Sequence, residues 1–124
     1  MKIGIIGLGY VGVQLAVAFG QKIDTVGFDP DQHKIKAYKS GVDQTGEVTP
    51  SRFESALNTR YTYDISDLVG CEVYIIAVPT PVDRLNRPDF EPLQKASETV
   101  GHVMVSGTTV IYESTVYPGA TEEI

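Results

Sequence analysis

The strongest constraint on this chain is Gly7-Leu8-Gly9-Tyr10-Val11-Gly12, a GxGxxG pattern set between a β-branched run and a helical pattern. Residues Lys2 to Ile6 read as a short buried strand that stops at Gly7. Beyond the glycines, Val11, Leu15, Ala18 and Phe19 recur at the spacing of one helix face, so the order is strand, tight turn, helix. In that setting each glycine has a task. Gly7 permits the tight turn, Gly9 leaves room for a pyrophosphate against the backbone, and Gly12 lets the helix pack closely on the sheet. The helix N-terminus supplies unpaired N–H groups and a positive dipole end, which suit an anion.

The alternation of strands and helices continues. Residues Asp24 to Phe28 predict a second strand, followed by Asp29-Pro30, with Pro30 placed to enter the first turn of a helix over roughly 31–39. That helix turns Ile35 and Tyr38 inward and stops at Ser40-Gly41. A polar loop over 41–49 leads to a short helix opened by Pro50, with Phe53, Ala56 and Leu57 on one face, and then to a short strand at 61–63. Residues 64–70 predict a helical turn, and the apolar run at 72–78 predicts a central parallel strand covered on both sides. A helix over about 91–104 would face Leu93, Ala96, Val100 and Val103 to the core, and a last strand follows at 108–112. The expected fold class is α/β, a Rossmann-like doubly wound parallel sheet with right-handed crossovers. Such sheets take ligands at the carboxyl ends of their strands.

Asp29 stands at the end of the second strand, about 20 residues beyond the first glycine, where a carboxylate can accept from the hydroxyls of an adenosine ribose. The same charge repels a 2'-phosphate, which favours NAD over NADP, and no arginine occurs before Arg52 to oppose that choice. Asp29 can also be read as the N-cap of the next helix, and the two roles are compatible. Lys34 reads from composition alone as a solvated helix lysine. Two later loops fall at strand ends. In Val78-Pro79-Thr80-Pro81 the prolines set an extended path beside the Thr80 hydroxyl, and Glu113-Ser114-Thr115 occupies the corresponding place after the next strand. Ordinary turn chemistry also accounts for both.

Composition narrows the partners. The chain has 124 residues, enough for one core, and 10 Lys+Arg against 16 Asp+Glu give a net charge of -6. An acidic chain without a basic cluster is a poor match for a nucleic-acid backbone. The longest apolar stretches fall short of a membrane span, and no signal peptide is expected, since Met1-Lys2 leads straight into a strand-like run. One cysteine, Cys71, cannot form an internal disulfide, and His33 and His102 lack metal-type spacing, so no metal site is expected. The expected compartment is the cytoplasm.

GLGYVG, a strand ending in GFD with Lys34 five residues later, AVPTP and ESTVYPG together resemble the amino-terminal domain of the UDP-glucose/GDP-mannose dehydrogenase family. The forms VPTPVD, PDFEPLQKASETVG and YESTVYPGATEE are most similar to the bacterial branch that oxidises UDP-N-acetylhexosamines for capsular polysaccharide and O-antigen. The resemblance runs along essentially the whole chain. It implies oxidation of C6 of a nucleotide sugar from alcohol to acid, with two NAD reduced and a cysteine-bound thioester hydrolysed by water. It implies that residues Gly7, Leu8, Gly9, Tyr10, Val11 and Gly12 hold the pyrophosphate. Asp29 and Lys34 would hold the adenosine ribose. Thr80 and Thr115 would lie toward the nicotinamide end, Thr115 also helping to position a catalytic water.

The family's nucleophilic cysteine, lysine and asparagine lie in parts that have no counterpart here, so no catalytic residue is expected among residues 1–124. Cys71 precedes its strand, at the end of the sheet opposite the crevice, and reads as a small buried apolar residue. The resemblance implies a cofactor domain truncated at its carboxyl end, with an exposed sheet edge and an apolar helix face, inactive alone, whose parent takes a UDP-sugar and forms a homodimer or higher homo-oligomer. The other readings are a non-catalytic NAD-sensing module and a Rossmann dehydrogenase of the hydroxyacid or 6-phosphogluconate type. The VPTP and STVYPG loops count against the latter.

Overall fold

The structure is a computed structural model that describes residues 1–43, 46, 48–78 and 91–113. Its centre is a five-stranded, all-parallel sheet in the order β3-β2-β1-β4-β5. The strands are β1 (Lys2–Ile6), β2 (Asp24–Phe28), β3 (Thr59–Thr62), β4 (Val73–Ile76) and β5 (Thr109–Tyr112). The helices are α1 (Tyr10–Gly20), α2 (Gln32–Lys39), α3 (Pro50–Ser55) and α4 (Glu91–Val103), with a 3-10 turn at Ile65–Leu68. The order reverses between β1 and β4, which places the topological switch point beside the glycine turn.

Side-chain alternation along the strands builds two cores. Ile3, Ile5 and Ile75 meet Val13, Ala16 and Val17 of α1, Ile35 and Tyr38 of α2, and Phe53 of α3. On the other face Ile6, Val26, Phe28, Tyr74 and Ile76 meet Leu93, Ala96, Val100 and Val103 of α4, with Leu68 and Cys71. Helices therefore cover both faces of a doubly wound sheet, as expected. Burial of each large aliphatic side chain is worth about 1.5–3 kcal/mol, so neither face is stable without its helices.

The differences from the sequence expectations are local. The buried positions of α1 are Gly12, Val13, Ala16, Val17 and Gly20, whereas Ala18 is exposed and Val11, Leu15 and Phe19 are only half-buried. The helix is apolar nearly all round, so periodicity does not choose its face. The choice follows from close approach, because a Cβ at Gly12 would strike the Gly7 carbonyl and one at Gly20 the Thr59 hydroxyl. Pro30 lies ahead of the cap residue Asp31 rather than in the first turn of α2. Helix α3 ends at Ser55, leaving Leu57 86% exposed instead of inward. β3 runs Thr59–Thr62, and Tyr63 points outward. β4 is an interior strand, shorter than 72–78, with β1 in the middle place.

β5 forms one edge of the described sheet, with Ile111 and Tyr112 partly exposed. No described helix is long and apolar enough to cross a membrane, and the described residues contain no group of three or more His, Cys, Asp or Glu placed to hold a metal.

Candidate site at the carboxyl ends of the strands

The glycine turn begins where β1 ends. Gly7 has a φ of 97°, a left-handed backbone that a side chain would strain, and its N–H is fixed by the Phe28 carbonyl at 2.8 Å. Any side chain here would also meet Val78 and the Ala77 backbone. Gly9 is the contrasting case. Its φ of -76° is open to any residue, yet among the described residues nothing lies within 4 Å of the position a Cβ would take. Space is kept there rather than a special conformation. The three glycines thus serve the three purposes their spacing predicts: turn, clearance and close packing.

Helix α1 starts at this clearance. Gly9, its cap residue, has no side chain to cap it, and no acidic residue occupies its first turn. Val13 N–H reaches the Gly9 carbonyl at 3.1 Å, so the N–H groups of Tyr10, Val11 and Gly12 precede the helical ladder. Uncapped N–H groups at the positive end of an 11-residue helix beside open space can take a phosphate group without any basic side chain.

Asp29, 7% exposed, follows β2 and sits beside the turn. Its Oδ2 accepts from Leu8 N–H at 2.9 Å and from Lys34 Nζ at 3.4 Å, and its Oδ1 accepts from Asp31 N–H at 2.9 Å. The cap of α2 is Asp31, whose side chain accepts from the N–H groups of His33 and Lys34, so Asp29 is not the N-cap. This separation of roles leaves Asp29 facing the crevice. Three donors occupy a carboxylate with roughly four acceptor positions, which leaves Oδ1 able to accept from a ribose hydroxyl. A second hydroxyl at Oδ2 requires the Lys34 ammonium to yield its place. Lys34 is paired with Asp29 at the wall of the crevice and is not merely solvated.

These residues open on one crevice of about 750 Å³. Gly7, Gly9, Asp29 and Lys34 line it together with Phe28 and Val78, and the far wall is α4, through Ala96, Thr99 and His102. Ile65, on the turn after β3, also lines it. Sequence reasoning missed these wall residues. Ile65, partly exposed on a short turn, carries no pattern that marks it, and Ala96 reads only as core. A second cleft of about 600 Å³ lies at the β3 edge, away from the glycine turn, around Tyr38, Phe53 and Tyr61.

Of the other sequence candidates, Thr80 and Thr115 lie outside the described residues, as does the side chain of Tyr10. Leu8 is fully buried and contributes through its backbone, and Val11 is half-buried at the start of α1. Cys71 lies ahead of β4, buried against Leu68 and Tyr74, and burial pushes its thiol pKa up. A buried, protonated thiol is a poor nucleophile.

The family model described as "UDP-glucose/GDP-mannose dehydrogenase family, NAD binding domain" matches residues 1–124. A UDP-N-acetyl-D-glucosamine 6-dehydrogenase of Pseudomonas aeruginosa is 50% identical over 123 residues, which cover 99% of this chain and 29% of that protein. Protein CapL of Staphylococcus aureus is 52% identical over 122 residues, covering 98% of this chain and 28% of the relative. Among solved structures, the UDP-D-ManNAc dehydrogenase of Pyrococcus horikoshii superposes with a TM-score of 0.89 at 37% identity, over 99% of this chain and 30% of that one. The chain thus spans a little under a third of the length of the relatives it matches.

Proposed function

This chain belongs to the UDP-glucose/GDP-mannose dehydrogenase family as its NAD binding domain, and from that premise we propose that its parent oxidises C6 of a UDP-sugar to the acid. UDP-N-acetylhexosamine is the sugar class, as in the two relatives at 50% identity named UDP-N-acetyl-D-glucosamine 6-dehydrogenase. NAD, when bound, supplies the hydride acceptor. The observation that carries the reading is the convergence of an uncapped helix N-terminus, the clearance at Gly9 and the buried Asp29 carboxylate on one crevice.

In this reading the N–H groups at the start of α1 hold the pyrophosphate, with Gly7 and Gly12 keeping the turn closed and Leu8, Tyr10 and Val11 lending backbone. Asp29 and Lys34 orient the adenosine ribose. Thr80 and Thr115 serve the nicotinamide end. The sugar site and the nucleophile belong to other parts of a longer polypeptide, and residues 1–124 alone form no uronic acid. The parent works in the cytoplasm as a homodimer or higher homo-oligomer and feeds capsule or O-antigen synthesis.

The full-length protein, given NAD and UDP-N-acetylglucosamine, is expected to form two NADH for each sugar oxidised. A full-length protein that binds NAD yet oxidises none of the UDP-N-acetylhexosamines would overturn the substrate class. A gene that stops at Ile124 would instead favour the NAD-sensing module.

A further inference from the structure

We propose that Tyr38 is a positioning residue for the glycine turn: its hydroxyl holds the Leu8 carbonyl on the core side and thereby turns the Gly9 N–H toward the crevice. The inference rests on the reading that this turn receives the phosphates of NAD. The Tyr38 hydroxyl donates to the Leu8 carbonyl oxygen at 2.8 Å, a buried bond between residues 30 apart in sequence. The Leu8–Gly9 peptide is trans, so its C=O and N–H point in opposite directions. A carbonyl pinned inward fixes an N–H directed the opposite way, and Gly9 itself lines the crevice.

The neighbouring peptide is held in the same manner. Leu8 N–H is bound by Asp29, and the Gly7 carbonyl at the other end of that peptide lies against Gly12. The Leu8 side chain cannot rotate the turn, because it is fully buried and fills the space beside Gly27. Tyr38 is itself held in place. Its ring stacks on Phe53 at a centroid distance of 5.8 Å and leans on Tyr61 at 5.7 Å. Burial and the nearby Asp43, Asp29 and Asp31 push its pKa up to about 12, so the hydroxyl keeps its proton. Tyr61 provides the internal comparison, since it lies in the same aromatic group but its buried hydroxyl bonds nothing among the described residues.

The test titrates the chain, with Tyr38→Phe and Tyr61→Phe, against NAD and against adenosine, which lacks the phosphates, and follows the Gly9 amide by NMR. Tyr38→Phe should weaken NAD by about fivefold to tenfold, the scale of one lost hydrogen bond, and leave adenosine affinity unchanged. Tyr61→Phe should alter neither. In the wild type, the Gly9 amide should shift with NAD and stay in place with adenosine, a result that does not require any variant to fold. The proposal is overturned by a Tyr38→Phe chain that binds NAD like wild type, by equal losses for NAD and adenosine, or by a Gly9 amide indifferent to NAD. A wild-type chain that binds no NAD at all refutes the underlying reading, and the first titration separates that result from the others.

Discussion

The Leu8 main-chain N–H donates to Asp29 Oδ2 at 2.9 Å, joining the glycine turn after β1 to the end of β2 through a buried bond. The carboxylate that faces the crevice therefore also shapes the turn beside it. Ligand recognition and local structure share one side chain, so substitutions there carry two costs that can be measured separately.

Asp29→Ala leaves the buried Leu8 N–H without its acceptor and also strips the partner from Asp31 N–H. A buried donor left unmade costs about 1–3 kcal/mol, and urea denaturation should show a loss of that size. Asp29→Asn keeps one acceptor oxygen and should fall between Ala and wild type. Equal stability of all three proteins would show that the Leu8 bond contributes nothing.

Gly9→Ala and Gly12→Ala should fail in different ways. At Gly9 the backbone accepts alanine and the added methyl meets no described residue, so the melting temperature should stay near wild type. The methyl then occupies phosphate space, and NAD affinity should fall by about tenfold or more, equivalent to ~1.4 kcal/mol. At Gly12 the methyl collides with the Gly7 carbonyl, and forced overpacking of this kind costs about 1–3 kcal/mol or more. Thermal melts and calorimetry on the pair would separate clearance from packing, and similar melting temperatures for the two would refute the distinction.

Much of this was legible beforehand because strand, glycine turn and terminal carboxylate are encoded locally. β1 and β2 fall where the β-branched runs predicted, and α4 presents the face that Leu93, Ala96, Val100 and Val103 outlined. The face of α1 was not legible, since Val11, Leu15 and Phe19 are as apolar as Val13 and Val17, and only contacts with Gly7 and Thr59 decide between them. Leu57 was misplaced because α3 stops two residues short of it. The role of Tyr38 was out of reach for another reason. Its inward position follows from helical spacing, but its partner is a carbonyl 30 residues away, and only the folded sheet brings the two together.

Alkali should reveal Tyr38 and Tyr61, two of the three buried tyrosines, the third being Tyr74. Burial raises the pKa of Tyr38 to about 12 and that of Tyr61 further, so both hold protons in the fold that the unfolded chain releases near its ordinary tyrosine value of 10.0. The sign follows from linkage: stability is fully present below about pH 10 and is lost as pH rises through the folded values. Replacing both with Phe should remove their part of that decline in alkaline denaturation curves, leaving the part due to Tyr74, whose pKa burial also raises. Tyr61→Phe also removes a buried hydroxyl that has no partner among the described residues, and at neutral pH it should cost nothing or stabilise the chain. A clear destabilisation would mean that the hydroxyl has a partner after all.

Cys71 gives a test of the proposal that the nucleophile lies elsewhere. Its thiol is buried, with a raised pKa, beside Leu68 and Tyr74. A disulfide reagent such as DTNB should leave it unmodified in the native chain and react fully in denaturant. Rapid native labelling would contradict the burial and reopen a chemical role for this thiol.

The most direct test of the account is calorimetric titration of the chain with NAD and with NADP under identical conditions. The helix terminus serves both dinucleotides alike, while the Asp29 carboxylate accepts from a 2'-hydroxyl and repels a 2'-phosphate. NAD should bind more tightly, by about tenfold or more, the ~1.4 kcal/mol scale of one charged contact. Equal affinities, or a preference for NADP, would contradict the role assigned to Asp29 and with it the geometry proposed for the site.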